Sequence, residues 1–172
     1  ILASLRKKSS KTAPSLLVLP ASLLANWSSE LTTFAPKLRF WVAHPDFHKP
    51  GPVPEPDAKQ LAGLDLVLTT YALTQRFDWI QQTSWNYVIL DEAQAIKNPG
   101  TKQTRAIKQL RATNRIAMTG TPVENRLSDL WSLFDFLNPG LLGTAKEFSA
   151  LTKGLSTDPQ GYARLRQAVS PF

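Results

Sequence analysis

Along this chain short unbroken apolar runs alternate with apolar residues spaced three or four apart. The runs Ala13 to Leu19, closed by Pro20, and Tyr87 to Leu90 read as strands buried on both faces, because no charged residue interrupts them. Leu38 to Ala43, Asp65 to Thr69 and Arg115 to Met118 read as further strands. Between them, Leu24, Trp27, Leu31 and Phe34 recur at helical spacing and predict an amphipathic helix from about Leu23 to Phe34, with Ser22 as its N-cap and Pro36 as its stop. Shorter helices are expected over Ala58 to Gly63 and over Tyr71 to Ile80, the latter with Leu73, Phe77 and Ile80 on one side. Asn98-Pro99 opens another, with proline in the first helical position, that runs to about Arg111. Its Ala106, Ile107 and Leu110 face inward, and its Lys102, Arg105 and Lys108 face outward. Leu127, Leu130, Trp131, Phe134 and Leu137 form a strong stripe stopped by Pro139-Gly140, and short helices follow over Lys146 to Leu151 and Tyr162 to Val169. Pro45, Pro50, Pro52, Pro54 and Pro56 rule out a regular element from His44 to Pro56. His44 and His48 stand four apart there, a spacing that pairs metal ligands on a helix and not in a loop. Strands alternating with helices across short connections give an α/β fold with a parallel sheet.

Composition narrows the class. A length of 172 residues fits one domain with a substantial core, and 42% apolar with 19% charged residues is ordinary for a globular protein. The sequence has no cysteine, so disulfides and thiolate metal sites are excluded. No apolar run approaches the roughly 18 residues of a membrane span, and Arg6, Lys7, Lys8 and Lys11 disrupt any secretory leader. A cytosolic or nuclear protein is expected. The net charge of +7 favours a polyanionic partner, since each neutralised phosphate releases condensed counterions. No acid separates Lys97 from Arg115, and that basic stretch is either a solvated helix face or part of a nucleic-acid footprint.

The candidate chemistry sits at the end of the run Tyr87 to Leu90, which delivers Asp91 and Glu92 together. Ligands of open α/β sheets collect outside the carboxyl ends of strands, and adjacent acids point apart. Asp91 is placed to hold a hydrated Mg²⁺, which takes one or two protein carboxylates beside substrate phosphates. Glu92 is then placed to orient and deprotonate a water aimed at a phosphoryl group. The same letters also spell a helix capping box, with Asp91 as N-cap and Gln94 reaching back. Likewise Thr121-Pro122-Val123-Glu124 is a capping box with proline in the first turn.

Two segments taken together carry more than either alone. Asp91-Glu92-Ala93-Gln94-Ala95-Ile96-Lys97-Asn98, followed by Met118-Thr119-Gly120-Thr121-Pro122-Val123-Glu124-Asn125, resembles motifs II and III of the Swi/Snf group of superfamily-two helicase-like ATPases. Leu16 to Trp27 is similar to motif Ia, Val67 to Tyr71 to motif Ib, and Asp129 to Pro139 to the helix after motif III. The resemblance runs in order from about Leu16 to Phe172. It implies a three-layer RecA-like lobe of the P-loop NTPase type, ATP and Mg²⁺ as cofactors, and double-stranded DNA as the track of a translocase. Asp91 would be the metal ligand; Glu92, Gln94, Thr119 and Thr121 would serve catalysis and its link to DNA. Ser22, Thr69, Thr70, Lys97 and Asn98 would contact the DNA backbone, which hydroxyls and N–H groups hold without reading bases. Gln94 stands where DEAH-box members carry histidine, and glutamine there is common in the group.

The phosphate loop G-x-x-x-x-G-K-[ST] does not occur in this sequence. The expectation is therefore a partial first lobe over residues 1–172, lacking its phosphate-loop strand and the second lobe that supplies arginine fingers, and inactive by itself. An unpaired sheet edge and some self-association would follow. The compact spacing from Asp91 to Thr119 resembles bacterial members. A nucleoid location in a bacterium, or a nuclear one in a eukaryote, goes with that expectation. An RNA helicase lobe and a non-catalytic DNA- or protein-binding module on the same fold are the competing readings, and T-G-T-P-V-E-N in place of S-A-T stands against the first of them.

Overall fold

The computed structural model describes residues 13–120 and 127–155. Its centre is a five-stranded parallel sheet: β1 Ser15–Leu19, β2 Phe40–Val42, β3 Leu66–Thr70, β4 Ser84–Leu90 and β5 Arg111–Ala117, in the order β2-β3-β1-β4-β5. The period of two along each strand divides the core into two layers. Leu16, Val18, Val67, Val88 and Leu90 face one side, and Leu17, Leu19, Leu66, Leu68 and Ile89 face the other. Both sides are covered, so β1 and β3 need apolar residues at nearly every position, and their sequences read as unbroken runs.

Six helices complete the described residues: α1 Leu24–Phe34, α2 Ala58–Gly63, α3 Asp78–Gln82, α4 Lys102–Gln109, α5 Leu127–Leu137 and α6 Ala145–Leu155. Helix α1 covers one face through Leu24 and Leu31, while α3, α4 and α5 cover the other through Ile80, Ile107 and Phe136. The result is the expected three-layer α/β lobe.

Several expected boundaries move, each for a local reason. Ser22 does not cap a helix: Pro20 leads into a 3-10 turn, Ala21–Leu23, that runs directly into α1 without a side-chain cap. Phe34 is 78% exposed and does not extend the apolar stripe. The helix ends at Phe34, and Ala35 and Leu38 pack inward in its place. The expected helix Tyr71 to Ile80 is broken into a 3-10 turn, Leu73–Gln75, and the short α3, with Phe77 extended between them. The buried Thr74 hydroxyl donates to the Tyr71 carbonyl at 2.7 Å, a local bond that competes with continued helix. In the proline-rich loop Pro45–Phe47 makes a single 3-10 turn, and the His48 ring bonds the Val42 carbonyl oxygen at 2.7 Å. No cluster of metal-ligating side chains occurs among the described residues.

Strand β4 begins at Ser84 and β5 at Arg111, both ahead of their apolar stretches, because the two pair with each other from Ser84 and Arg111 onward. Arg111 therefore belongs to a strand. Helix α4 starts later than expected: the Asn98 side chain accepts from Gly100 N at 2.9 Å in a turn, and Thr101 is the N-cap, its hydroxyl accepting from Thr104 N at 3.1 Å. Lys108 is not outward-facing; it lies 2.8 Å from Asp135 and 4.3 Å from the centroid of the Trp131 ring. Thr101→Ala is expected to lower unfolding free energy by about 1 kcal/mol, the usual worth of an N-cap hydroxyl, read as a shift in urea midpoint at unchanged slope. The expected helix over Tyr162 to Val169 and the Thr121 to Glu124 capping box lie outside the described residues.

Candidate active site

The carboxyl ends of four neighbouring strands converge on Asp91. Backbone bonds fix its position from both sides: Asp91 N donates to Val18 O at 2.9 Å, Met118 N to Leu90 O at 2.8 Å, and Ala93 N to Met118 O at 2.9 Å. The stretch after β4 is thus joined to β1 and to the exit of β5.

Side chains then set the carboxylate. Trp27 of α1 donates its indole N–H to Asp91 Oδ2 at 2.7 Å, and Glu92 N donates to Asp91 Oδ1 at 3.0 Å. Tyr71, just past β3, donates its hydroxyl to the Asp91 carbonyl at 2.7 Å. Burial, with the charges of Asp91 and Glu92 added, pushes the Tyr71 phenol well above its ordinary range, so it remains a donor.

Glu92 adopts a left-handed conformation, φ 51° and ψ 52°, and it is the sole non-glycine residue with positive φ among the described residues. That conformation costs an L residue roughly 1–2 kcal/mol. It reverses the chain at once, so that Asp91 and Glu92 leave the strand in different directions. Strain of this kind gathers where function demands a geometry the chain would otherwise avoid.

The capping box read into Asp91-x-x-Gln94 does not form. Ala93–Ile96 is a 3-10 turn with no side-chain cap. Gln94 instead donates from Nε2 to Glu92 Oε2, and its Oε1 accepts from the Thr119 hydroxyl at 2.9 Å. Glu92, Gln94 and Thr119 thus form a relay from the exit of β4 to the exit of β5. The relay is half-buried at Glu92 and Gln94 and exposed at Thr119. Below it, buried Ser132 of α5 donates its hydroxyl to the Ile96 carbonyl, tying the turn to the helix that follows.

The donor set suits a divalent cation held by one carboxylate. Each Asp91 oxygen accepts one hydrogen bond, and a carboxylate has about four lone-pair positions, so each keeps capacity for a cation or for its water. One carboxylate with phosphates and waters is how Mg²⁺ is bound in phosphoryl-transfer sites.

The remaining sequence candidates divide. Ser22, Lys97 and Asn98 are exposed, although the Asn98 side chain is engaged in its own turn. Thr69 and Thr70 are buried, at 0% and 5% exposure. The Thr69 hydroxyl donates to Ala43 O at 3.2 Å, and that of Thr70 accepts from Leu73 N at 3.4 Å. Their side chains are turned into the protein and are not available to a phosphate. Thr121 lies outside the described residues. Trp27 and Tyr71 close the segments similar to motifs Ia and Ib, but nothing in the sequence marks either as a partner of Asp91: one also reads as part of an apolar stripe and the other as the start of a helix.

The family model described as SNF2-related domain matches residues 1–172. The uncharacterized ATP-dependent helicase MG018 of Mycoplasma genitalium is 40% identical over 159 residues, covering 92% of this chain and 15% of that protein. The putative ATP-dependent helicase/translocase YwqA of Bacillus subtilis is 40% identical over 163 residues, covering 92% of this chain and 17% of that protein. The Sulfolobus solfataricus SWI2/SNF2 ATPase core in complex with dsDNA superimposes with a TM-score of 0.85 at 42% identity, over 99% of this chain and 35% of that chain. The chain therefore spans a small part of the length of the relatives it matches.

Proposed function

This chain belongs to the SNF2-related domain family, and from that membership we propose that it is the first ATPase lobe of an ATP-dependent motor that tracks double-stranded DNA. The observation that carries the reading is the acid pair at the end of β4, with Asp91 fixed by Trp27 and Glu92 turned away into the relay with Gln94 and Thr119.

The lobe's own residues perform two tasks. Asp91 presents a fixed negative charge toward the cation, and Glu92 orients a water and accepts its proton as that water attacks. Mg²⁺, when bound with ATP, supplies neutralisation of the charge on the transferring phosphoryl group. Gln94 holds the Glu92 carboxylate in place while Thr119 ties that geometry to the exit of β5, so displacement of one segment is felt by the other. The sequence contains no glycine-rich phosphate loop, and we assign that cradle and the second lobe's arginines to the remainder of the parent polypeptide. The 172 residues alone are then expected to show no ATP turnover.

The net charge of +7 and the exposed Ser22, Lys97 and Asn98 support a duplex held by its phosphates, as a motor that steps over any sequence requires. The protein would work where duplex DNA lies, in the nucleoid of a bacterium or the nucleus of a eukaryote. In the parent polypeptide, ATP hydrolysis should rise severalfold on adding duplex DNA, with weaker response to single strands and to RNA. Stimulation by RNA equal to that by duplex DNA would contradict the assignment.

A further inference from the structure

We infer that Trp27 is a positioning residue for Asp91, and that through it helix α1 governs how firmly the site holds its divalent cation. The inference rests on the phosphoryl-transfer reading of the acid pair and names a control of that same site.

The geometry is specific. The indole N–H reaches a carboxylate 64 positions away in sequence at 2.7 Å, and it takes the oxygen that the Glu92 amide does not. Two donors on two oxygens fix the plane of the carboxylate as well as its location. The donor is also neutral. A lysine or arginine in the same place would orient Asp91 equally well but would cancel the charge that a cation needs, whereas an indole leaves the full negative charge in place. Packing alone does not call for the bond. Trp27 is half-buried against the core layer of Leu17, Leu24 and Ile89, and burying an indole ring there does not by itself require that its N–H meet this carboxylate rather than another acceptor.

Trp27 sits in the first turn of α1, directly after the 3-10 turn that carries the exposed Ser22. A ligand that shifts this turn shifts the indole, and with it the carboxylate. Among the described residues no other side chain of α1 bonds to the acid pair.

Groups that orient a metal ligand change metal affinity by about 10–100-fold when removed. Trp27→Phe keeps a ring in the core and deletes the N–H. In the intact parent protein, binding of Mn²⁺ in the presence of a non-hydrolysable ATP analogue, followed by electron paramagnetic resonance, should weaken roughly 10-fold in this variant. The Mg²⁺ concentration for half-maximal ATPase should rise in parallel, with kcat at saturating Mg²⁺ changed less. Mn²⁺ affinity within twofold of the unaltered protein, at a temperature where both are folded, overturns the inference. If the variant does not fold, 5-fluorotryptophan placed at position 27 gives the second reading. Its fluorine resonance should move on adding Mg²⁺ to the analogue complex, and an unmoved resonance is equally decisive against. An unaltered parent that neither binds Mn²⁺ with the analogue nor hydrolyses ATP defeats the proposed function itself, and this inference with it; an active parent with an indifferent Trp27 defeats the inference alone.

Discussion

Glu92→Gln in the intact parent protein is expected to lower kcat for ATP hydrolysis by about 10²–10⁴-fold, while nucleotide affinity stays within a few-fold. The amide is nearly isosteric with the carboxylate, and the Gln94 bond to Oε2 can be kept by the new carbonyl oxygen. What disappears is the base that takes a proton from the attacking water. The left-handed backbone at Glu92 is kept as well, so the loss should fall on the chemical step and leave thermal stability nearly unchanged. Single-turnover hydrolysis, measured beside binding of a fluorescent nucleotide, separates the two. A variant that keeps more than a tenth of the wild-type single-turnover rate would remove Glu92 from the role of base.

The second large effect concerns stability. Arg115 on β5 donates to Leu110 O at 2.9 Å, Lys108 O at 3.3 Å and Phe136 O at 3.0 Å, and lies 5.0 Å from the Phe136 ring centroid. These carbonyls belong to the ends of α4 and α5, where no further helical N–H is available and where positive charge is favoured. Burial draws the guanidinium pKa below its ordinary value, and nearby Asp135 opposes that. Arg115→Met keeps most of the volume but leaves three acceptors without their donor. With roughly 1–3 kcal/mol lost per unsatisfied buried group and partial rescue by water, a loss of about 3 kcal/mol is expected. Arg115→Lys should recover little of it, because a single ammonium cannot fork to three carbonyls. Urea unfolding checks this; a change under 0.5 kcal/mol for the methionine variant would mean that water already serves these carbonyls.

Much of this could be read from residue order, and the failures have identifiable causes. Strands β1 and β3 are buried on both faces, so their apolar runs declare them directly. The acids after β4 were legible for the same reason, since a polar pair following such a run must lie at a strand end. Strand β5 was legible only over its last residues. As the sheet's edge it is half-exposed, and its Arg111 to Asn114 segment carries no apolar signal. Thr69 and Thr70 show the limit of carrying a role over by position: hydroxyls on a central strand were credited to a ligand and are spent inside the fold. Lys108 looked solvated because its partner, Asp135, lies 27 positions away on another helix. The bonds of Trp27 and Tyr71 to Asp91 were hidden likewise, since a long-range hydrogen bond leaves no periodicity behind.

The most direct test is a structure of the parent protein bound to Mg²⁺ and ADP with a trigonal or planar phosphoryl mimic such as aluminium fluoride. The prediction is a Mg²⁺ held by Asp91 directly or through one water, the Trp27 bond intact, and a water within hydrogen-bond reach of Glu92 aligned on the mimic. A nucleotide seated with Glu92 turned away from any water facing the mimic, or a cation bound without Asp91, would contradict the account.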